Sequence, residues 1–278
     1  MRYQRVANEQ ELLNGLTQSD AAILCGGTDV MIKLRSGTIR PDILLDVSQM
    51  DALQGIRVEA SSLLIGAATT ESEIIASPLV QQHVPLLASV LKQLGSVQIR
   101  NRGSLGGNVV NASPAADSAI PLLVYDTELL LVGAQGERWV QLEEFFTGPG
   151  RTVLQPGEFI RTLRLPIPEP GFRSFFHKVG KRNALTIAIA SLGVLLRLEG
   201  TLLKDVRMAV GSVAPTPKRL RSIETELTGR TLDEATVAAA RGLIVNAITP
   251  ISDVRASADY RKNVIGDLLV RALRKQMT

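Results

Sequence analysis

The chain has 278 residues, of which 45% are apolar and 21% charged, as expected for one large or two ordinary globular domains. Its net charge of +4 comes from 31 basic and 27 acidic residues without a basic run, and only 4% of residues are aromatic, so no nucleic-acid partner is expected. One cysteine, Cys25, excludes a disulfide framework and an iron–sulfur cluster held by this chain alone. Two histidines without metal-ligand spacing predict no metal site.

The sequence indicates neither a signal peptide nor a membrane span. The first residues lack the apolar core of a signal peptide, and the longest apolar run, residues 187–196, is too short to span a bilayer. We therefore expect a cytoplasmic protein without a membrane span.

The first 50 residues predict a β-α-β pattern. A short helix at 8–16 has Asn8 as its cap, and strands are predicted at 21–24 and 43–47. Between these strands, Thr28 or Asp29 caps a helix that ends near Gly37.

The pattern then changes to hairpins and helices. The predicted elements are hairpins at 56–66 and 128–140, helices at 71–75, 84–94 and 114–125, and a strand at 159–165. Pro166, Pro168 and Pro170 follow and mark a domain boundary. We predict domains at 1–170, with subdomains of about 1–52 and 53–170, and at 171–278.

The second domain is predicted to be an antiparallel sheet backed by helices, which gives an α+β fold. Its basic C-terminal segment, which includes Arg261 and Arg271, is interpreted as a solvated helix face, with a partner contact as the alternative. The predicted strands are 172–179, 185–198 and 206–212, and the helices are 218–227, 233–246 and 257–274.

Two glycine-containing loops carry the candidate chemistry. Glycine permits close approach of the backbone to a phosphate, and short polar side chains can donate to its oxygens. Two such loops, one of which leads into a predicted helix, predict a diphosphate-containing nucleotide held between them. Neither loop has the Rossmann or Walker pattern, which disfavours those two kinds of nucleotide site. The first loop alone could also be a tight strand–helix connection. The candidates are Cys25, Gly26, Gly27, Thr28, Asp29 and Val30 in the first loop, and Ser104, Gly106, Gly107, Asn108, Asn111, Ser113 and Asp117 in the second.

Two charged side chains have open interpretations. Asp117 suits ribose or ribityl hydroxyls, or it is a helix cap or a partner of Arg100 or Arg102. Lys178 could stabilise an anion near a flavin or nucleotide, or it is a solvated strand lysine. No residue set with the arrangement of a catalytic centre is found.

The two loops resemble those of the FAD-binding medium subunits of the molybdenum hydroxylases. The most specific match is Gln-Ile-Arg-Asn-Arg-Gly-Ser-Leu-Gly-Gly-Asn at 98–108, with Ser-Pro-Ala-Ala-Asp at 113–117. Leu-Cys-Gly-Gly-Thr-Asp-Val at 24–30 is similar to the first FAD loop of the family. The segments 65–70, 145–150, 158–160, 214–217 and 255–261 also match, so the resemblance covers nearly the whole chain.

The resemblance implies a vanillyl-alcohol-oxidase-type two-part FAD-binding domain, followed by a small α+β C-terminal domain. Residues 25–30 would wrap the diphosphate through their amides, and Ser104, Gly107, Asn108 and Asn111 would hold the diphosphate and neighbouring parts of FAD. Asp117 would bind hydroxyls, Ile160 would meet the flavin edge through its backbone, and Lys178 would lie beside the ring.

The implied function is electron transfer within a complex. An iron–sulfur (2Fe-2S) small subunit would deliver electrons from a molybdopterin large subunit, and FAD would pass them to NAD, oxygen or a quinone. Leu94 stands where animal xanthine dehydrogenases place an aromatic residue, and Leu185-Thr186 replaces an acidic position of several relatives, so the acceptor stays open. Residues 211–217 favour the xanthine dehydrogenase-like branch.

Two other interpretations remain. A self-contained flavin oxidoreductase of the same fold, similar to the enolpyruvyl-sugar reductase, would need a catalytic acid, for which Ser104 and Ser113 are the candidates. A scaffold that has lost its cofactor is disfavoured by the intact second loop.

Overall fold

The N-terminal 50 residues form a three-stranded parallel sheet of order β1-β3-β2, in a computed structural model that describes residues 1–18, 20–182 and 186–277. Asn8 caps the first helix as predicted, because its Oδ1 accepts from the N–H of Glu11 at 3.0 Å. Strand β1 was not predicted, since its four residues are all exposed and show no apolar alternation. The elements are β1 (Arg2–Arg5), α1 (Glu9–Gln18), β2 (Ala21–Leu24), α2 (Val30–Arg35) and β3 (Ile43–Asp46).

The next unit is a five-stranded antiparallel sheet of order β4-β5-β10-β6-β7. Both predicted hairpins are confirmed, and the last strand inserts between them. Its strands are β4 (Ile56–Glu59), β5 (Ser62–Gly66), β6 (Glu128–Gly133), β7 (Gly136–Gln141) and β10 (Phe159–Pro166). A small hairpin of β8 (Phe146–Gly148) and β9 (Arg151–Thr152) lies outside this sheet.

Alternation along the strands gives this sheet two buried faces. Leu129, Leu131 and Leu163 join the core shared with a layer of short helices, whereas Leu130 and Val132 pack with the N-terminal sheet. The helix predicted at 84–94 is shorter, and a second helix precedes it. The helices are α3 (Glu71–Ala76), α4 (Pro78–His83), α5 (Pro85–Leu91), α6 (Val97–Arg100), α7 (Leu105–Val110), α8 (Ala119–Val124) and α9 (Leu142–Phe145).

The C-terminal domain is an antiparallel sheet of order β11-β12-β13-β14 with three helices packed on it. The α+β architecture is therefore as predicted. The strand predicted from 185 begins at Ala190, and Leu185 lies outside the described residues. The elements are β11 (Phe172–Val179), β12 (Ala190–Glu199), β13 (Leu202–Gly211), β14 (Lys218–Arg219), α10 (Arg221–Leu227), α11 (Glu234–Ala247) and α12 (Ala258–Arg274).

Asp126, at the end of α8, joins the two domains. Its carboxylate pairs with Arg207, Arg219 and Arg221 of the C-terminal domain at 3.2, 2.9 and 2.8 Å. The Arg219 side chain is only 2% exposed, so the loss of Asp126 would leave a buried guanidinium short of a partner. This ion cluster fixes how the domains sit on each other.

The interpretation of the basic C-terminal segment as a solvated face is wrong for Arg261. This residue is buried, and its guanidinium donates to the carbonyls of Ile189 and Ser212, each at 2.7 Å, and to Asp253 at 2.6 Å. Arg271 and Arg274 are exposed, as expected. Arg261 escaped prediction because its carbonyl partners lie far away in sequence. Among the described helices, none is long and apolar enough to cross a bilayer.

A pair of helical glycines tests the packing of α11 against α12. A Cβ added at Gly242, on the exposed side of α11, meets no atom within 4 Å, whereas one at Gly266 of α12 lies 3.0 Å from Cγ2 of Val245. We expect Gly242→Ala to raise the free energy of unfolding by about 1 kcal/mol, because alanine is the better helix former. Gly266→Ala should gain less or lose stability, since the side chains of Val245 and Arg241 must move to make room. Urea unfolding of both variants checks this, and an equal gain in both would contradict the tight contact.

Candidate functional site

The two predicted loops touch each other through a backbone that tolerates only glycine. A Cβ placed on Gly26 would lie 1.7 Å from the carbonyl oxygen of Arg102. A hydrogen bond of 3.1 Å from Nδ2 of Asn111 to Oδ1 of Asp29 joins the same loops. Loops that are 70 residues or more apart in sequence thus form one surface, and glycine at 26 makes the approach possible.

The first loop offers a row of free backbone donors. The N–H groups of residues 27–30 donate to no acceptor within the part of the chain that the structure describes, whereas the N–H of Gly26 interacts with the Cys25 thiol. Gly27 has φ +76°, which turns the chain from β2 toward α2. Successive unsatisfied N–H groups in such a turn make a concave site for an anion. The predicted side-chain cap of α2 is not formed, because Asp29 occupies the cap position without a side-chain cap hydrogen bond.

The second loop is more ordered than the sequence indicated, since it contains α6 and α7. Ser104 caps α7 by accepting from the N–H of Gly107 at 3.3 Å, and the N–H of Gly106 donates to the carbonyl of Ala67 at 2.9 Å. The amides of both glycines are therefore engaged within the protein. A Cβ at Gly106 would lie 2.6 Å from that of Ala67, so this glycine packs α7 against β5's end.

Asp117 and Lys178 form an ion pair between the two domains. Nζ of Lys178 donates to Oδ2 of Asp117 at 2.6 Å and to the carbonyl of Gln93 at 2.8 Å, and both charged side chains are 8% exposed. The partnership of Asp117 with Arg100 or Arg102 and the solvated Lys178 are therefore wrong interpretations. Both failed because folding brings Lys178 of β11 against Asp117, 61 residues away in sequence, which local sequence does not show.

Only one of the two oxygens of the Asp117 carboxylate, Oδ2, has a hydrogen-bond partner among the described residues. Its Oδ1 is buried and has no hydrogen-bond partner among the described residues. Burial raises the pKa of Asp117, although the charge and hydrogen bond of Lys178 act to lower it. A buried carboxylate oxygen without a donor is costly, so this atom is prepared to accept from a ligand hydroxyl.

A cleft of about 470 Å³ lies beside Asp29 of the first loop and the polar side chains of the second loop. Its lining combines polar residues, which include Asp29, Asn108, Asn111, Ser113 and Asp117, with the apolar residues Leu94, Ile99 and Ile187. A partly apolar cleft with convergent polar groups suits a nucleotide with an aromatic ring system. Within residues 1–18, 20–182 and 186–277, no group of three or more potential metal-binding side chains occurs.

None of the other predicted site residues lines this cleft. The Cys25 side chain is partly buried, and burial raises the pKa of its thiol. Val30 is the first residue of α2, and Thr28 lies in the loop before it. Ile160 is buried in β10 and pairs with Leu131, next to a register shift of that strand.

Glu71 is a site neighbour that the sequence did not reveal. It is 1% exposed, and its N–H donates to the carbonyl of Gly103 at 3.0 Å, so it lies directly under the second loop. Burial raises the pKa of Glu71 to about 7, with a further increase from Asp29 and an opposing effect of Arg100. Acidic residues in the first turn of a helix are usually exposed and interact favourably with the helix dipole. The position of Glu71 in the sequence therefore gave no sign that it is buried.

Comparisons with known proteins agree with this geometry. The family model described as "FAD binding domain in molybdopterin dehydrogenase" matches residues 1–168. A second model, "CO dehydrogenase flavoprotein C-terminal domain", matches residues 175–276. This chain belongs to the FAD-binding medium subunits of the molybdenum hydroxylases.

Several relatives are similar to this medium subunit over almost its full length. The carbon monoxide dehydrogenase medium chain of Hydrogenophaga pseudoflava is 32% identical over 95% of this chain and 92% of its own. The xanthine dehydrogenase FAD-binding subunit of Escherichia coli O157:H7 is 33% identical over 95% and 91%. These identities are too close to separate the two branches.

Solved structures share the fold of this medium subunit. Carbon monoxide dehydrogenase of Hydrogenophaga pseudoflava matches with a TM-score of 0.94 and 32% identity, covering 99% of this chain and 96% of that chain. Quinoline 2-oxidoreductase of Pseudomonas putida 86 matches with a TM-score of 0.93 and 27% identity over the same shares. The predicted family, the two-part FAD-binding fold and FAD as the cofactor are thereby confirmed.

The buried carboxyl of Glu71 predicts a pH-dependent stability. Its pKa in the folded chain lies above the ordinary value of 4.5, so its favourable contribution is complete below pH 4.5 and is lost as the pH rises through 7. The size of this loss is on the order of 3 kcal/mol. Glu71→Gln should lack this component of the pH dependence.

Urea unfolding at pH 4.5 and pH 8 measures the effect as a difference between the variant and the unchanged protein. Glu73→Gln is the matched control, because Glu73 is exposed on the same helix and glutamine still completes the capping box with Thr70. The idea fails if Glu71→Gln and Glu73→Gln show the same pH dependence as the unchanged protein.

Proposed function

We propose that this medium subunit binds FAD in the cleft between the two loops and uses it to pass electrons from a partner's iron–sulfur clusters to NAD or another acceptor. The observation that carries the proposal is the occurrence of two complementary groups on the loops beside one cleft. Free N–H donors at residues 27–30 suit a diphosphate, and the unpartnered Oδ1 of Asp117 suits a hydroxyl. FAD contains both a diphosphate and hydroxyl groups, at opposite ends of its ribityl-diphosphate chain.

Different residues would bind different parts of the cofactor. The amides of Cys25, Gly26, Gly27, Thr28, Asp29 and Val30 would hold the diphosphate. Because the amides of Gly106 and Gly107 are engaged internally, these glycines would act by allowing close approach. The side chains of Ser104, Asn108, Asn111 and Ser113 would supply hydrogen bonds along the second loop.

The flavin end of FAD would be positioned by groups from different secondary-structure elements. Asp117 would accept from a ribityl or ribose hydroxyl, and the backbone of Ile160 would border the flavin edge. Lys178 would place a positive charge next to the ring, held there by Asp117 and the Gln93 carbonyl. The bound FAD would supply the redox chemistry, taking up single electrons and giving them up in pairs. The protein would supply position, charge and exclusion of water, and no side chain is assigned a catalytic role.

The electrons would come from other subunits. With one cysteine, this chain has too few thiolates for an iron–sulfur cluster of its own. The relatives named above include medium chains, a designation that implies further subunits. We therefore propose a complex with a 2Fe-2S small subunit and a molybdopterin large subunit. Residues 211–217 support the xanthine dehydrogenase-like branch.

Replacement of Asp117 tests the cofactor site. Asp117→Asn should weaken FAD binding by roughly 1–3 kcal/mol, because the amide replaces a charged acceptor with a neutral one. Fluorescence titration of the apoprotein with FAD gives the affinity, and thermal unfolding without FAD reports the fold.

The double variant Lys178→Met with Asp117→Asn is the control for stability only, because it also removes the lysine charge that the single variant leaves buried without its partner. An unchanged FAD affinity together with a lower unfolding temperature in the absence of FAD would show that Asp117 is only a structural partner of Lys178.

Native purification tests the partnership. The chain should co-purify with subunits that contain iron–sulfur clusters and molybdenum. The isolated chain should oxidise NADH with an artificial acceptor at most, but should not hydroxylate purines or other heterocycles. The measurement is metal analysis and substrate turnover of the complex and of the single chain. Turnover of an organic substrate by the metal-free single chain would instead support a self-contained flavin oxidoreductase.

A further inference from the structure

Glu71 lies at the junction of both loops that form the cleft. It is the first residue of α3, directly after the Thr70 cap, and its N–H is tied to the Gly103 carbonyl of the second loop. The Cβ position of Gly103 is 3.5 Å from Oε2 of Glu71, so the carboxyl packs against the bare backbone of this glycine. The adjacent carbonyl, that of Arg102, is the one in contact with Gly26 of the first loop.

The Glu71 carboxyl is unusually poor in partners for so buried a group. Its Oε2 is inaccessible to solvent and accepts no hydrogen bond from the described residues. The charged groups that act on it come from both loops, namely Arg100 on α6 and Asp29 before α2. Arg100 gives incomplete compensation, because its Nη1 donates to the carbonyls of Leu94 and Gly95.

We propose that FAD binding to this chain is coupled to the uptake of one proton from solvent by Glu71, an inference that rests on the proposed FAD site. A diphosphate at residues 26–30 would bring negative charge to the loop that carries Asp29, which already repels an ionised Glu71. A second anion in a partly dehydrated site raises the cost of the carboxylate further. Protonation of Glu71 removes this repulsion. It also leaves the carboxyl uncharged, so that its buried Oε2 no longer carries a charge without a hydrogen-bond donor.

The direction of the pH effect follows from this linkage. Because the bound state holds more protons than the free state, FAD affinity must fall as the pH rises through the range in which free Glu71 ionises. That range is centred near pH 7, since burial raises the pKa of Glu71 to about 7. The dissociation constant should rise about threefold to fivefold from pH 7 to pH 8.

Titration calorimetry of the apoprotein with FAD at pH 7.5 tests the proposal directly. Running it in HEPES and in Tris, whose ionisation enthalpies differ and which do not carry a phosphate, gives the number of protons taken up per FAD. The unchanged protein should take up about half a proton or more, and Glu71→Gln should take up markedly less, with a dissociation constant that no longer rises between pH 7 and pH 8. Glu73→Gln, on the same helix, should behave as the unchanged protein.

The outcomes separate the two proposals. Tight FAD binding with no proton uptake, or with equal uptake in Glu71→Gln, would overturn the role of Glu71 and leave the FAD site intact. No FAD binding by any of the three proteins would overturn the proposed site and the linkage with it. Loss of binding in Glu71→Gln alone would also overturn the linkage, because the neutral isostere should bind at least as well as the protonated acid.

Discussion

The close approach of Gly26 to the Arg102 carbonyl is the constraint on which the site depends. It brings a βα turn of the N-terminal sheet against a loop that lies beside the antiparallel sheet. This contact holds the first loop, with Asp29, next to the polar side chains of the second loop that line the cleft. The hydrogen bond between Asn111 and Asp29 depends on the same approach. A backbone contact without side chains thus determines where the charged groups can meet.

A second constraint comes from the C-terminal domain, which lines part of the cleft through Thr186 and Ile187 and places Lys178 against Asp117. Lys178 neutralises part of the Asp117 charge, and this compensation lets a carboxylate remain in a largely buried position. Arg261 fixes the backbone at Ile189 and Ser212 from the other side, and the N–H of Ser212 donates to the Pro114 carbonyl in the second loop. The domain therefore supports the cleft at two points.

The sequence predicted the features whose causes are local. Strand alternation and turn residues were sufficient for both hairpins, and Asn8 was identified as a cap from its position before an apolar pattern. The resemblance, carried mainly by residues 98–117, predicted the family and FAD. The partner of Asp117, the burial of Arg261 and the burial of Glu71 were missed, because each depends on an element brought close by tertiary folding. Short helix α7 was missed because glycine and asparagine are weak helix formers, and α6 was missed because it has only four residues, two of which are β-branched. In both helices, capping by Ser96 or Ser104 outweighs propensity.

Helix α8 has one further consequence. It spans Ala119–Val124, with the cleft residue Asp117 just before it and the interdomain anchor Asp126 just after it. Both ends of this buried, rigid segment are bound to the C-terminal domain, one through Lys178 and the other through Arg207, Arg219 and Arg221. The two domains are consequently poor modules for recombination. In a chimaera of this first domain with a foreign second domain, the foreign domain would need both a lysine equivalent to Lys178 and the arginine cluster. Evolution should therefore exchange the two domains together, as a single unit.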